Sequence, residues 1–228
     1  MGSALILYGS KARGDSRANS DVDLILASEG DAIGSPTRAN SVSLHRYPKG
    51  WLEKGAASGS LFVFHIAFEG VGLDDSENFV ERLRAAFRRK ESYADEMRIA
   101  ALVLKMFLET DWESNFDARR RYFWALRTIL ISASAEGGDP VFSSAPLERL
   151  SRIEGLARLL DHRNRALFSD CQTIGDKVLA KYPPADVADL EGSSLRRYLM
   201  AQGGIARDSV RVIEEGEAIA EGGLAVYL

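Results

Sequence analysis

Two aspartates near the start of the chain have the spacing of a divalent-metal site. Asp21 and Asp23 are two residues apart in a short apolar run that continues to Leu26. Alternate residues of a β-strand point to the same face, so the two carboxylates should share a face, with Cα atoms roughly 6.6 Å apart. Without a cation they would repel each other by about 2.5 kcal/mol at an effective dielectric constant near 20. The spacing therefore predicts a strand whose two carboxylates bind one cation.

A glycine-containing loop precedes this strand and has the composition of a phosphate-binding loop. The apolar run Leu5–Tyr8 predicts a first strand that ends at Gly9, where the backbone must turn sharply or approach a ligand closely. Ser10 is expected to cap a following helical turn and so leave free amides that favour a phosphate. Lys11 and Arg13 add positive charge. A phosphate-binding loop that faces a metal-binding strand indicates nucleoside triphosphate chemistry.

The order of these residues resembles a known motif. The segments Gly9-Ser10, Arg13-Gly14-Asp15 and Ser20-Asp21-Val22-Asp23-Leu24 are similar to the G-S-x-A-R-G-D…S-D-x-D-L motif of the DNA polymerase beta superfamily of nucleotidyltransferases. The similarity is closest to the minimal and antibiotic-modifying members, and it covers roughly the first third of the chain. The alternative interpretation is a surface hairpin whose acids are solvated.

The resemblance implies a set of roles for these side chains. Asp21 and Asp23 would be the catalytic ligands of Mg²⁺, and Gly9 and Ser10 would hold the terminal phosphates of the nucleotide. Either Lys11 or Arg13 would neutralise the triphosphate, although each is also compatible with a solvated loop cation. Magnesium suits such a site because it prefers hard oxygen ligands and keeps several waters.

The sequence departs from the motif at the third acid. Active members of the superfamily usually carry a further carboxylate on the next strand, and the corresponding residue here is Ser43, in Val42-Ser43-Leu44. A serine cannot take a proton from the acceptor at ordinary pH. Another acid such as Asp31 or Glu69 could substitute, the acceptor could supply its own base, or catalysis could be lost. His45, two residues after Ser43, could also reach the site, but a strand-edge histidine is the simpler interpretation.

The remaining pattern predicts the elements that position this site. Residues 41–47 alternate in polarity as a third strand does, whereas the small and polar residues 27–40 predict a loop. The run Leu61–Phe68 predicts a buried helix that stops at Gly70, and Val71–Leu73 predicts a last short strand. From residue 76 onward the patterns are helical, including segments 99–108, 122–131, 147–160, 166–182 and 195–220. We therefore predict an α+β protein with a small mixed-sheet nucleotidyltransferase head (residues 1–75) followed by an all-α helical-bundle domain (residues 76–228).

One segment of the helical half resembles a second motif. Residues Arg163–Phe168 are similar to the Arg-x-x-x-x-His ribonuclease motif of HEPN helical domains, with Phe168 in the place of the histidine. Because the histidine is missing, we predict no ribonuclease activity for this segment. The basic clusters at residues 88–90 and 119–121 could contact an RNA backbone, but they are more typical of solvated helix faces.

Composition limits the classes of function. The chain has 228 residues, a net charge of −4 and a single cysteine, Cys171, which excludes an internal disulfide and suits a reducing cytoplasm. No apolar run reaches the length of a membrane span, so we expect no membrane partner. The net negative charge disfavours a nucleic-acid polymerase, which needs an extended basic channel.

These observations lead to two hypotheses of different classes. The first is a Mg²⁺-dependent enzyme that transfers a nucleoside monophosphate, most often AMP from ATP, to an acceptor hydroxyl and releases pyrophosphate. The acceptor (a small molecule, a protein or RNA) is not determined by the sequence, and a homodimer is compatible with it. The second is a non-catalytic, antitoxin-like nucleotide-binding partner protein, which the departure at Ser43 favours.

Overall fold

The structure, a computed structural model, describes residues 2–16, 20–184, 187 and 189–214. These residues form two compact units, 2–91 and 92–214. The boundary between the units falls later than the one predicted after residue 75. The difference arises because the helix Phe79–Ala86 packs against two helices of the first unit, Lys49–Ala57 and Leu61–Glu69.

The first unit is built on a mixed sheet, which confirms the predicted α+β class. Within the described residues the sheet has five strands: β1 (Ala4–Tyr8), β2 (Val22–Ser28), β3 (Gly34–Ala39), β4 (Val42–Pro48) and β5 (Val71–Asp74). Their spatial order is β3-β4-β2-β1-β5. The pair β2–β4 is parallel, and the other neighbours are antiparallel.

The strand β3 corrects the loop predicted for this part of the chain. Its sequence, Gly-Ser-Pro-Thr-Arg-Ala, has neither apolar alternation nor a cluster of β-branched residues, and most of its side chains are exposed. It forms an edge strand because a two-residue turn at Asn40-Ser41 folds it back onto β4. Asn40 has φ of 53°, the left-handed conformation that such a hairpin turn requires. Pro36 is accommodated where the pairing register shifts, between Gly34 and Thr37.

Four helices accompany the sheet among the described residues of the first unit. They are α1 (Ser10–Arg13), α2 (Lys49–Ala57), α3 (Leu61–Glu69) and α4 (Phe79–Ala86). As predicted, α3 is largely buried, and it ends before Gly70. A side chain at residue 70 would collide with the carbonyl oxygen of Ile66, so the glycine permits a close approach rather than a left-handed turn.

The second unit is helical over its described residues. It contains α5 (Ala94–Leu108), α6 (Phe116–Gly137), α7 (Ser144–Ser151), α8 (Leu156–Asp161), a 3-10 turn (Arg163–Arg165), α9 (Phe168–Lys181), α10 (Gly192–Gln202) and α11 (Gly204–Glu214). The single helix predicted for residues 147–160 is wrong: Arg152 and Gly155 both adopt positive φ and separate α7 from α8. The predicted helical segment 195–220 lies partly outside the described residues. No helix in the described ranges is both long and apolar enough to cross a bilayer.

Candidate functional site

A row of four side chains crosses the sheet of the first unit at one level. Tyr8 of β1 pairs with Asp23 of β2, Asp23 pairs with Ser43 of β4, and Ser43 pairs with Arg38 of β3. Register partners in neighbouring strands project from the same face and have Cβ atoms about 5 Å apart. The row is continuous with the buried core, because Ile6 and Ile25 follow on the same face.

The carboxylate of Asp23 contacts the chain through both of its oxygens. Its Oδ1 atom accepts a 2.7 Å hydrogen bond from the hydroxyl of Ser43, which is only 8% exposed. Its Oδ2 atom lies against Gly9, where an added Cβ would be 2.9 Å away. The carboxylate is therefore fixed between the neighbouring strand and the loop that follows β1.

The conformation of Gly9 explains why a glycine is needed between β1 and α1. Its backbone, at φ 76° and ψ −158°, lies in a region that side-chain-bearing residues avoid. Gly9, not Ser10, is the residue that caps α1. The predicted capping role of Ser10 is thus wrong, because Ser10 is already the first residue of the helix. Gly14 ends the turn in the left-handed conformation.

The two cations proposed for the triphosphate have different surroundings. The guanidinium of Arg13 donates to Asp15 and to Glu69, each at 3.2 Å, and its side chain is 16% exposed. Lys11 is half-buried and makes no ion pair within the described part of the chain. Arg13 is therefore largely neutralised by the protein's own carboxylates, and Lys11 is the better candidate to contact a phosphate.

Glu69 connects Arg13 to a buried histidine. The His65 Nδ1 atom lies 2.5 Å from the same Glu69 oxygen that accepts from Arg13. The ring of His65 packs edge-on against Tyr8, with centroids 5.6 Å apart. Sequence analysis considered Glu69 only as a substitute for the third acid and did not place His65 at the site, although their i, i+4 spacing on one helix is compatible with such a pair.

Tyr8 and His45 complete the aromatic side of the site. His45 shares a strand face with Ser43, as predicted, and its ring contacts Tyr8 edge-on at 6.4 Å and stacks on Tyr47 at 6.5 Å. Burial, and then the negative charge of Asp23, raises the pKa of Tyr8 well above its ordinary value of 10. The phenol of Tyr8 therefore stays neutral at physiological pH. Sequence analysis missed this residue because it was assigned only to the apolar strand.

Asp21 lies immediately before β2 and is exposed, so it stands at the end of the strand rather than within it. Asp31 is exposed in the segment after β2, and Glu69 is engaged with Arg13 and His65. Among the described residues, no group of three or more His, Cys, Asp or Glu side chains could hold a metal ion. The position opposite Asp23 on the parallel strand belongs to Ser43.

The donor set nevertheless fits Mg²⁺. This ion is commonly bound through one or two carboxylates together with water and substrate phosphates, without a complete protein cage. Asp21 and Asp23 offer hard oxygen ligands, and the Oδ2 atom of Asp23 is directed at the Gly9 loop rather than at Ser43.

Comparison of the chain with protein-family models found no match, and comparison with curated proteins found none either.

Proposed function

We propose that this protein is a magnesium-dependent nucleotidyltransferase that moves a nucleoside monophosphate, most often AMP from ATP, onto an acceptor hydroxyl. The observation that carries the proposal is the contact between the Asp23 carboxylate and Gly9. It brings a potential metal ligand against a loop that carries a serine and a lysine, as the chemistry of a metal-bound triphosphate requires.

Each side chain of the site then has a defined task. Asp21 and Asp23 would hold Mg²⁺, which when bound neutralises the charge of the triphosphate and orients it. Lys11 would contact a phosphate oxygen, because the described structure offers it no carboxylate. Arg13 would position the loop by joining it to Glu69 of α3.

The transfer step makes one bond and breaks another. The acceptor oxygen bonds to the α-phosphorus, the bond from that phosphorus to the oxygen bridging to the β-phosphate breaks, and pyrophosphate leaves. The acceptor proton passes to water, because Ser43 donates its hydrogen bond to Asp23 and has no carboxylate to receive a proton. We therefore expect slow transfer unless the acceptor carries its own base.

The same hydrogen bond favours a second candidate function. A protein that binds Mg²⁺ and a nucleoside triphosphate without turnover, as a nucleotide-sensing or antitoxin-like partner, needs the carboxylates and the loop but no base. A neutral hydroxyl that is already satisfied by Asp23 is compatible with that role.

Pyrophosphate release from each of the four ribonucleoside triphosphates separates the two candidates. The full-length protein is assayed with Mg²⁺ and a cell lysate as the acceptor source, alongside the Asp21→Asn/Asp23→Asn double variant. The matched control is Asp74→Asn/Asp189→Asn, which removes two exposed carboxylates, one in β5 and one in the second unit, that have no part in the proposed site.

If the protein is a transferase, the wild-type protein and the control should release pyrophosphate, whereas the Asp21/Asp23 variant should not. Nucleotide binding in calorimetry without pyrophosphate release would favour the non-catalytic partner. If wild-type protein neither binds a nucleotide nor releases pyrophosphate, both functions are excluded.

A further inference from the structure

The second unit contains a cavity of about 430 Å³ between α8, the 3-10 turn and α9. Pockets of roughly 300 to 1,000 Å³ are typical of small-molecule sites. None of its lining residues takes part in the nucleotidyltransferase chemistry proposed above, which concerns the first unit alone.

Part of the cavity wall is apolar. Leu159 and Ile174 line it and are both almost fully buried, at 5% and 6% exposure. Leu167, at the edge of the same cavity, is 65% exposed. The exposed side chain of Leu167, next to the buried Leu159 and Ile174, offers a surface for the hydrophobic body of a ligand.

Cationic side chains line the same cavity. Arg158 forms a 3.7 Å ion pair with Asp170, so these two charges largely offset each other. Arg165 and Lys177 are exposed cations that form no ion pair within the ranges that the structure describes. Glu154 supplies one carboxylate to the lining, and the cavity therefore combines a partly apolar wall with an excess of positive charge.

Hydrogen bonds and aromatic packing fix the backbone of the segment that carries Arg165. The guanidinium of Arg119 donates to the carbonyl oxygens of Arg163, at 3.3 Å, and Ala166, at 2.8 Å. Phe168 packs edge-on against Trp112, with ring centroids 5.1 Å apart. The backbone around Arg165 is thus fixed before any ligand arrives, which reduces the entropy lost on binding.

From these features we propose that the cavity binds a small phosphate monoester with an apolar or aromatic body. A phosphate monoester carries nearly two negative charges at neutral pH, which matches the two cations Arg165 and Lys177. The planar guanidinium of Arg165 can donate two parallel hydrogen bonds to phosphate oxygens. The body of the ligand would lie on Leu159 and Ile174, and Glu154 would accept a hydrogen bond from a hydroxyl or amine of the ligand.

The test is isothermal titration calorimetry of the full-length protein with phenyl phosphate in EDTA, which keeps divalent metal away from the first unit. Phenol and inorganic phosphate are titrated separately, because each presents one half of the proposed ligand. The Arg165→Gln/Lys177→Gln variant removes the phosphate contacts. The control, Arg149→Gln/Arg207→Gln, removes the same charge at exposed positions of the unit that do not line the cavity.

We expect saturable binding of phenyl phosphate by wild-type and control proteins, weakened about tenfold or more in the Arg165/Lys177 variant. Leu167→Ser, a change at an exposed position that leaves the core intact, should weaken phenyl phosphate but not inorganic phosphate. Equal affinity of wild type and the Arg165/Lys177 variant would overturn the proposal. So would the absence of saturable heat with the wild-type protein, whatever the first unit is found to do.

Discussion

The hydroxyl of Ser43 donates a 2.7 Å hydrogen bond to Oδ1 of Asp23 across two parallel strands. The two residues are register partners, so residue 43 stands beside the carboxylate that we assign to magnesium. Because Ser43 is almost fully buried, a charge introduced at residue 43 will act on Asp23 with little screening by solvent. This pair determines how much of the proposed chemistry the chain retains.

Ser43→Asp should convert the pair into a stronger metal site. Two carboxylates about 4 Å apart repel by about 4 kcal/mol at an effective dielectric constant of 20, and a bound cation removes this repulsion. We expect the variant to melt at a lower temperature than wild type in EDTA and to gain more thermal stability than wild type from Mg²⁺. Circular dichroism melts with and without Mg²⁺ measure both effects.

Ser58→Asp is the control for that variant, because residue 58 is exposed immediately after α2. Its response to Mg²⁺ should equal that of wild type. An equal magnesium response of Ser43→Asp and wild type would show that residue 43 does not face a metal site. If the third acid is the only missing catalytic group, Ser43→Asp should also release pyrophosphate faster.

Gly9→Ala should lose both stability and nucleotide binding. A Cβ at residue 9 would occupy an unfavourable backbone region, at a cost of about 1–3 kcal/mol, and would press on Oδ2 of Asp23. Gly14→Ala is the matched control, because Gly14 has a φ of 77°, close to the 76° of Gly9, but has nothing within 4 Å of an added Cβ. Urea denaturation should show that both variants are destabilised. Calorimetry should show weaker magnesium–nucleotide binding in Gly9→Ala only, and retained affinity in that variant would refute the contact as a functional one.

Lys11 and Arg13 should behave differently when neutralised. Lys11→Gln removes a cation that has no ion-pair partner within the described ranges, so we expect unchanged stability and about tenfold weaker nucleotide binding. Arg13→Gln leaves Glu69 with His65 but without its guanidinium partner in a half-buried setting, so we expect a loss of about 1–3 kcal/mol in the free energy of unfolding. Parallel urea titrations and calorimetry compare the two variants. The opposite result, a stable Arg13→Gln protein with weakened nucleotide binding, would show that Arg13 contacts the triphosphate.

Acid stability should depend on Glu77. Hydrogen bonds from Lys49, at 2.6 Å, and from the backbone of Gly2, at 2.8 Å, lower the pKa of Glu77 from 4.5 to about 2. Because the pKa is lower in the folded state, this contribution to stability is complete above about pH 4.5 and is lost as the pH falls to about 2. Glu77→Gln should therefore reduce the loss of stability between pH 4.5 and 2.

Urea midpoints measured at pH 7, 4 and 3 test this dependence. Glu81→Gln is the comparison, because Glu81 is an exposed residue that pairs with Arg84 on the same helix. It should leave the pH profile unchanged. If Glu77→Gln and wild type lose stability in parallel as the pH falls, Glu77 is not the group that titrates.

The hydrophobic pattern of the sequence predicted the elements whose side chains are buried. β1, β2 and α3 all appear as apolar runs between turn residues, and all three form where expected. The strand β3 could not be predicted in that way, since it is exposed and owes its conformation to pairing with β4. The break between α7 and α8 depends partly on Arg152, whose left-handed backbone has no signature in its side chain.

The site could be predicted to the extent that its residues are close in sequence. The spacing of Gly9 and Asp23 indicated a loop facing a strand, and the structure brings them into contact. The partnership of Arg13 with Glu69 joins residues 56 positions apart and depends on the packing of α3. Arg38 lies beside Ser43 because β3 pairs with β4. Since the sequence did not predict β3, it could not predict that Arg38 reaches the site.

The central claim is that Asp21 and Asp23 bind a magnesium–nucleotide complex, and calorimetric titration of ATP tests it most directly. Wild-type protein and the Asp21→Asn/Asp23→Asn variant are titrated with Mg²⁺ and again with EDTA, and far-ultraviolet circular dichroism confirms equal helical content. We predict Mg²⁺-dependent binding by wild type that the double variant loses. ATP binding of equal strength in both proteins, or binding that ignores EDTA, would contradict the assignment.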